Sequence, residues 1–318
     1  MGAASIAVDQ SRPLWRKIAD FPLVAMLIAI ALFVAANAVG LFAAKFLPPM
    51  GAEATLVAKS LINIALVLAT YKFAIRKLGE RPHDDLPGAG SGRRTAAGLA
   101  LGFILFGLIV GLAALFDVYN IVGGGGTSQL ITALVGLAIM PAFMEELLFR
   151  GILFRWLEAF GGSWFALALT SALFGLGHIM NPNATAFSSF AIAVEAGILL
   201  GGAYMLTRSL WMPMGLHAAW NFTQGEIFDV PVSGTDVHGL VTAQMSGPEL
   251  LSGGMFGLEA SVLALVPATV VGVWLVVRAI RRGELVRPWW VRRRLASEEA
   301  VRIDVDRDAD LGAPVEVA

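Results

Sequence analysis

The chain reads as long apolar runs broken by short polar segments. A membrane-crossing helix needs about 20 predominantly apolar residues. On that measure the pattern predicts spans over about Phe21–Phe46, Thr55–Ile75, Thr95–Phe116, Gln129–Leu153, Trp164–Ile179 and Phe187–Leu206. A seventh begins near Leu210 and a last covers about Leu258–Val277. The predicted fold class is therefore all-α, a polytopic membrane helical bundle of about eight transmembrane helices, because only satisfied helices or closed barrels cross lipid. The order of segments predicts a polar N-terminal segment (1–20), a transmembrane domain (21–280) with its core at about 129–224, and a C-terminal tail (281–318). That tail is basic at first, then polar and mixed in charge, which predicts disorder. Ala36-Asn37-Ala38 resembles a signal-peptidase site, but the apolar run continues past it, so the first span is expected to stay uncleaved.

Composition agrees with this pattern. The chain is 57% hydrophobic and 15% charged, with a mean hydropathy of +0.73. An ordinary soluble domain is about 45–50% apolar and about 25% charged. The lipid bilayer is thus the first partner. A net charge of −1 gives no case for a nucleic-acid partner. The absence of cysteine excludes disulfides and thiolate metal sites. The 35 glycines suit helices that pack closely in a membrane.

The placement of charge says more than its sum. Basic residues lie in the N-terminal segment, between Arg76 and Arg94, at Arg155, at Arg208, and in the run Arg278, Arg281, Arg282, Arg287, Arg292, Arg293 and Arg294. With eight spans all of these fall on one side, together with both termini. The positive-inside rule makes that side cytoplasmic. The alanine- and glycine-rich composition suits a bacterial plasma membrane. The final basic run reads first as a positive-inside flank and second as a contact for anionic lipid.

Candidate chemistry centres on Pro141 to Arg155, where Glu145 and Glu146 stand side by side in an apolar run. A charge at bilayer depth costs about 2.5–3.5 kcal/mol on insertion scales. Arg150 is one turn after Glu146, so the two can neutralise each other and hold the helix in place. Glu145 has no charged partner at that spacing and is left for chemistry. Phe174 and His178 lie four apart in the fifth span, and His217 and Asn221 four apart in the seventh, each pair on one helix face. Helix rise puts Glu145, His178 and His217 about 15, about 21 and about 14 Å from the cytoplasmic edge, deep enough to meet. Pro141, Pro182 and Pro213 are each four residues from one of them. Such prolines line cavities by freeing carbonyls, or, for Pro182 and Pro213, simply mark a loop and a helix start. Glu195 lies mid-span and either lines the cavity or bonds to a neighbouring helix. His83 and His238 read as solvated loop residues. Trp156, Trp164, Trp211, Trp289 and Trp290 read as interface anchors.

A carboxylate beside histidine in a dry site is a competent base toward water. A second histidine and an amide can stabilise a developing oxyanion. This set describes amide hydrolysis without a serine or cysteine nucleophile. Two histidines and a glutamate also form a known zinc ligand set, although no H-E-x-x-H is present.

The three motifs, E-E-x-x-x-R, F-x-x-x-H and H-x-x-x-N, resemble those of the CAAX protease and bacteriocin-processing (CPBP) family of intramembrane endopeptidases. They read here as Glu145, Glu146 and Arg150; Phe174 and His178; His217 and Asn221. The resemblance implies a protease opening toward the cytoplasm and acting on a peptide or lipidated protein, prenylated CAAX-like or bacteriocin-related. Glu145, helped by His178, would activate water, and His217 and Asn221 would stabilise the oxyanion. It leaves open whether there is no cofactor or one divalent metal, zinc, held by Glu145, His178 and His217. The rival readings are a proton- or ion-coupled transporter, for which no internal repeat is visible, and a non-catalytic scaffold or immunity protein.

Overall fold

The computed structural model describes residues 13–79, 83–126 and 129–311. Arg12, Arg81, most of the expected N-terminal segment and the last residues of the tail lie outside them.

The architecture is a helical membrane bundle. Its helices are α1 (Leu14–Asp20), α2 (Pro22–Ala43), α3 (Ala52–Lys77), α4 (Ser91–Leu115), α5 (Met140–Glu146), α6 (Arg155–Gly177), α7 (Ala186–Thr207), α8 (Trp211–Phe222), α9 (Glu249–Ser252), α10 (Val262–Arg281) and α11 (Trp289–Leu311). Two π-helical segments, Thr132–Ile139 and Leu147–Phe154, flank α5. The strands β1 (Tyr119–Gly124) and β2 (Val241–Met245) pair antiparallel, Tyr119 opposite Met245, a small sheet that the apolar pattern did not foretell.

Among the described residues, six helical runs are long and apolar enough to cross a membrane. They account for the expected spans differently. The expected fourth and fifth form one 49-residue run, Thr132–Met180. That run turns at Gly162, whose φ of 83° and ψ of 172° break the helix. A side chain there would meet the Val286 carbonyl at 2.8 Å, so glycine serves both the turn and the close approach. The expected seventh span is α8 with a π-helical turn, Thr223–Ile227, too short to count by length alone.

The most extensive packing joins α4 with α8, α7 with α10, α6 with α7 and α2 with α3. In α2 and α3, Asn63 Nδ2 donates to Asn37 Oδ1 at 2.9 Å, a polar link between two membrane helices.

The two ends of the bundle differ in chemistry. At one end Asp85 is fully buried and accepts from Tyr71 (2.7 Å) and Tyr204 (3.0 Å) while pairing with Arg155. Beside it Arg208 holds Glu158 at 2.6 Å and Glu284 at 3.3 Å. Lys72 pairs with Asp84. Partial burial pushes the Asp84 carboxyl up, but hydrogen bonds from Lys72 and the Leu86 N–H outweigh it and hold it below its ordinary value. At the opposite end the loops pack on the sheet. Asp229 accepts from the Gly239 and Ala243 N–H groups, both at 2.9 Å. The Tyr119 hydroxyl donates to the Phe228 carbonyl at 3.0 Å; burial, then the charge of Asp229, pushes it up to about 12. Asn181 and Asn183 donate to the Ser233 and Gly234 carbonyls.

One expectation changes here. Trp156 is 3% exposed and belongs to the core, not to an interface. After the basic run the chain continues as the helix α11.

Candidate active site

The site begins with α5, a two-turn α-helix between two π-helical segments. Pro141 has no N–H to donate, so the α-helical bond it would make to the Leu137 carbonyl is missing. Asn221 Nδ2 donates to that carbonyl at 3.1 Å. A proline on one helix is thereby satisfied by an asparagine on another, which ties α8 to the start of α5. Pro213 lies in the first turn of α8 and Pro182 in a loop, so both carry the plainer reading.

Neighbouring residues on a helix diverge by about 100°, and the two glutamates separate accordingly. Glu146 is fully buried. Its Oε1 accepts from Arg150 Nη1 at 2.9 Å and lies 3.0 Å from His217 Nδ1. Arg150 also donates to the Ala196 carbonyl of α7 at 3.2 Å, and its guanidinium lies 4.7 Å from the centre of the Phe174 ring. Phe174 is in turn 4.7 Å, ring to ring, from His178 and 6.3 Å from His217. Phe174 is thus the packing surface that joins the arginine to both imidazoles.

Glu145 faces the other way, into a cavity of about 430 Å³ that His178, His217, Asn221 and Glu226 also line. Its Oε2 is buried and has no hydrogen-bond partner among the described residues. His178 lies 2.7 Å, through Nδ1, from the Phe174 carbonyl. A carbonyl only accepts, so Nδ1 carries the proton and Nε2 is free for other work. The contact of His217 Nδ1 with the Glu146 carboxylate leaves its Nε2 free in the same way.

Residues 127–223 match the family model of the Rce1-like type II CAAX prenyl endopeptidases.

The matched segment contains all seven motif residues, in agreement with the CPBP resemblance. No curated protein and no solved structure matches the chain. The segment ends before a residue that sequence reasoning missed. Glu259 lies just ahead of α10 and is 3% exposed. With Glu195 it lines a second cavity of about 30 Å³, also bounded by His178, His217 and Asn221. Both Glu195 oxygens are buried without a partner. Of the two readings open for Glu195, lining a cavity is the one the structure has. The space suits about one or two waters. Glu259 accepts from the Ser233 N–H. Burial raises its carboxyl above the ordinary range, against the hydrogen bond from Ser233. An acidic residue at the entry to the last apolar run was the available signal.

Among the described residues, no three His, Asp or Glu side chains converge closely enough to hold a metal ion. Glu145, His178 and His217 as placed do not form a zinc site.

Proposed function

We propose that this protein is an intramembrane endopeptidase that hydrolyses a peptide bond of a membrane-associated substrate. The supporting observation is the division of labour in the glutamate pair. Glu146 is consumed by Arg150 and His217, while Glu145 keeps a buried oxygen unpaired in a cavity with His178, His217 and Asn221.

In this reading Glu145 takes a proton from a water in the cavity, and the water oxygen attacks the scissile carbonyl carbon. His178 holds that water through Nε2. The developing oxyanion accepts from the second N–H of Asn221 and from Nε2–H of His217, as the imidazolium paired with Glu146. On collapse the carbon–nitrogen bond breaks, and the proton on Glu145 passes to the leaving amine. Water is consumed, and one acid and one amine are released. The family description points to prenylated CAAX-like peptides as the first substrates to try; bacteriocin-related peptides are the second. The basic segments support cytoplasmic termini in a bacterial plasma membrane.

The test is cleavage of membrane-anchored and prenylated peptides by purified protein, with and without chelator, beside Glu145→Gln. A general base contributes roughly 100- to 10,000-fold, so Glu145→Gln is expected to lose cleavage by that factor while remaining folded. Full activity in Glu145→Gln would overturn the assignment. Ion flux into proteoliposomes that requires Glu145, with no cleavage of any peptide, would favour a transporter. Cellular function that survives Glu145→Ala with His178→Ala would favour a scaffold.

A further inference from the structure

At the basic end of the bundle lies a cavity of about 330 Å³ that shares no lining residue with the one holding Glu145. Small-molecule sites have about this size, roughly 300–1,000 Å³. Its walls stand where apolar runs begin and end. Pro22 opens α2, Leu78 and Gly79 follow α3, Arg208 follows α7, and Trp289 opens α11. The surface beside it is apolar. Leu14, Trp15 and Ile18 precede the cavity residue Asp20 on α1, Trp290 adjoins Trp289, and all four are exposed. Exposed tryptophan and aliphatic side chains at the ends of spans mark the level of the lipid headgroups.

The charged groups of the wall are not equally satisfied. Asp20 holds Arg16 at 2.9 Å, Asp85 pairs with Arg155, and Glu158 holds Arg208 at 2.6 Å. Each carboxylate of the cavity thus already faces a guanidinium of the protein. Arg293 is different. Its guanidinium carbon lies 4.3 Å from the centre of the Trp289 ring, one turn earlier on α11. Its Nε is buried and has no hydrogen-bond partner among the described residues. A guanidinium stacked on a ring uses its face and keeps its in-plane N–H groups for an acceptor. Next to it Arg292 is fixed by hydrogen bonds to the Ala159 and Arg287 carbonyls, at 2.8 and 2.9 Å. The wall lacks an acceptor, not a cation.

We infer that this cavity binds the phosphodiester headgroup of an anionic phospholipid, held by Arg293 with Arg292 beside it. The planar guanidinium fork matches phosphate oxygens. An amphiphile is called for because much of the remaining wall is apolar, with Leu78, Trp156, Val286 and Trp289, and lies at headgroup level. A zwitterionic head would bring its ammonium to carboxylates that are already paired. The bound head braces α11 against α6, so binding stabilises the folded chain. Such a site differs from a diffuse attraction of the basic run to the membrane surface, in which every exposed arginine takes part. The inference does not depend on the hydrolase reading.

Arg294 supplies the control. It adjoins Arg293 in the chain, lies outside the cavity, is 71% exposed along its side chain and pairs with Glu298 at 3.6 Å. The full chain is purified in detergent and its melting temperature is followed against added phosphatidylglycerol, phosphatidylcholine or inorganic phosphate. Affinity is read from the concentration at half-maximal shift, so a variant with a lower starting temperature still reports. The expected result is a saturable rise with phosphatidylglycerol alone. Arg293→Gln is expected to weaken it about ten- to a hundredfold, the worth of a hydrogen bond to a charged group. Arg293→Lys should recover only part, and Arg294→Gln should match wild type. No rise with phosphatidylglycerol would overturn the site, and an equal loss in Arg294→Gln would reduce it to the diffuse basic flank. An equal rise with phosphatidylcholine would overturn the anionic head, and one with inorganic phosphate the amphiphile.

Discussion

Arg150 joins the site through three contacts: a carboxylate, a backbone carbonyl on another helix and an aromatic face. It is 1% exposed. Removing one partner of such a pair leaves a buried charge uncompensated, typically at a cost of about 3–5 kcal/mol. Arg150→Ala is therefore expected to lower the melting temperature in detergent clearly and to lose cleavage with it. The double variant Glu146→Leu with Arg150→Met removes both charges and should recover much of the stability without recovering activity, because His217 loses the partner of its Nδ1. Recovery of cleavage in the double variant would refute the link between Glu146 and His217. The spacing of Glu146 and Arg150 made their pairing legible in the chain, as it did the separate fate of Glu145. The contact of His217 with Glu146 was not legible, since no spacing relates residues on different helices.

Among the elements, α4 and α8 pack by surrendering side-chain volume. A Cβ at Gly98 would lie 2.2 Å from the Met212 carbonyl, and one at Gly102 would lie 2.4 Å from the Leu216 carbonyl. On the same helix Gly107 and Gly111 face open space. Small residues four apart let membrane helices approach closely. Overpacking of a tight contact costs about 1–3 kcal/mol. Gly98→Ala and Gly102→Ala are each expected to lower the melting temperature, with Gly107→Ala as an unaffected control. Equal effects at all three would refute the close packing. Since α8 carries His217 and Asn221, the first two variants should also reduce cleavage. The apolar pattern located both helices, and the number of glycines suited close packing. Which glycines meet a neighbour depended on helix rotation, which uniformly apolar helices in lipid do not reveal.

For the molecule as a whole, Asp85 links α3, α6 and α7 at the basic end through Tyr71, Arg155 and Tyr204. Asp85→Asn keeps the shape but removes the charge that Arg155 faces. It is expected to destabilise the protein by about 3 kcal/mol or more, read as a lower melting temperature and faster proteolysis at the loop before α4. An unchanged melting temperature would show that this network does not hold the three helices together. Asp85 lies in a polar segment that reads simply as a connecting loop, yet it is fully buried. The reason is tertiary: the segment folds back over the helix ends, where two tyrosines and an arginine satisfy the carboxylate.

Local and periodic information was enough for the membrane class, the approximate spans, the alternation of basic segments and the seven motif residues. Each depends on hydropathy, charge order or one-turn spacing, all of which survive in a linear chain. Tertiary structure decided the rest. It joined His217 to Glu146, used Asn221 to satisfy the carbonyl that Pro141 frees, and brought Glu195 and Glu259 behind the histidines. It also set the Glu145 cavity against the acidic loops and buried Asp85 at the basic end. Those facts depend on how helices rotate and on which loops cover their ends, and contacts between distant segments set both.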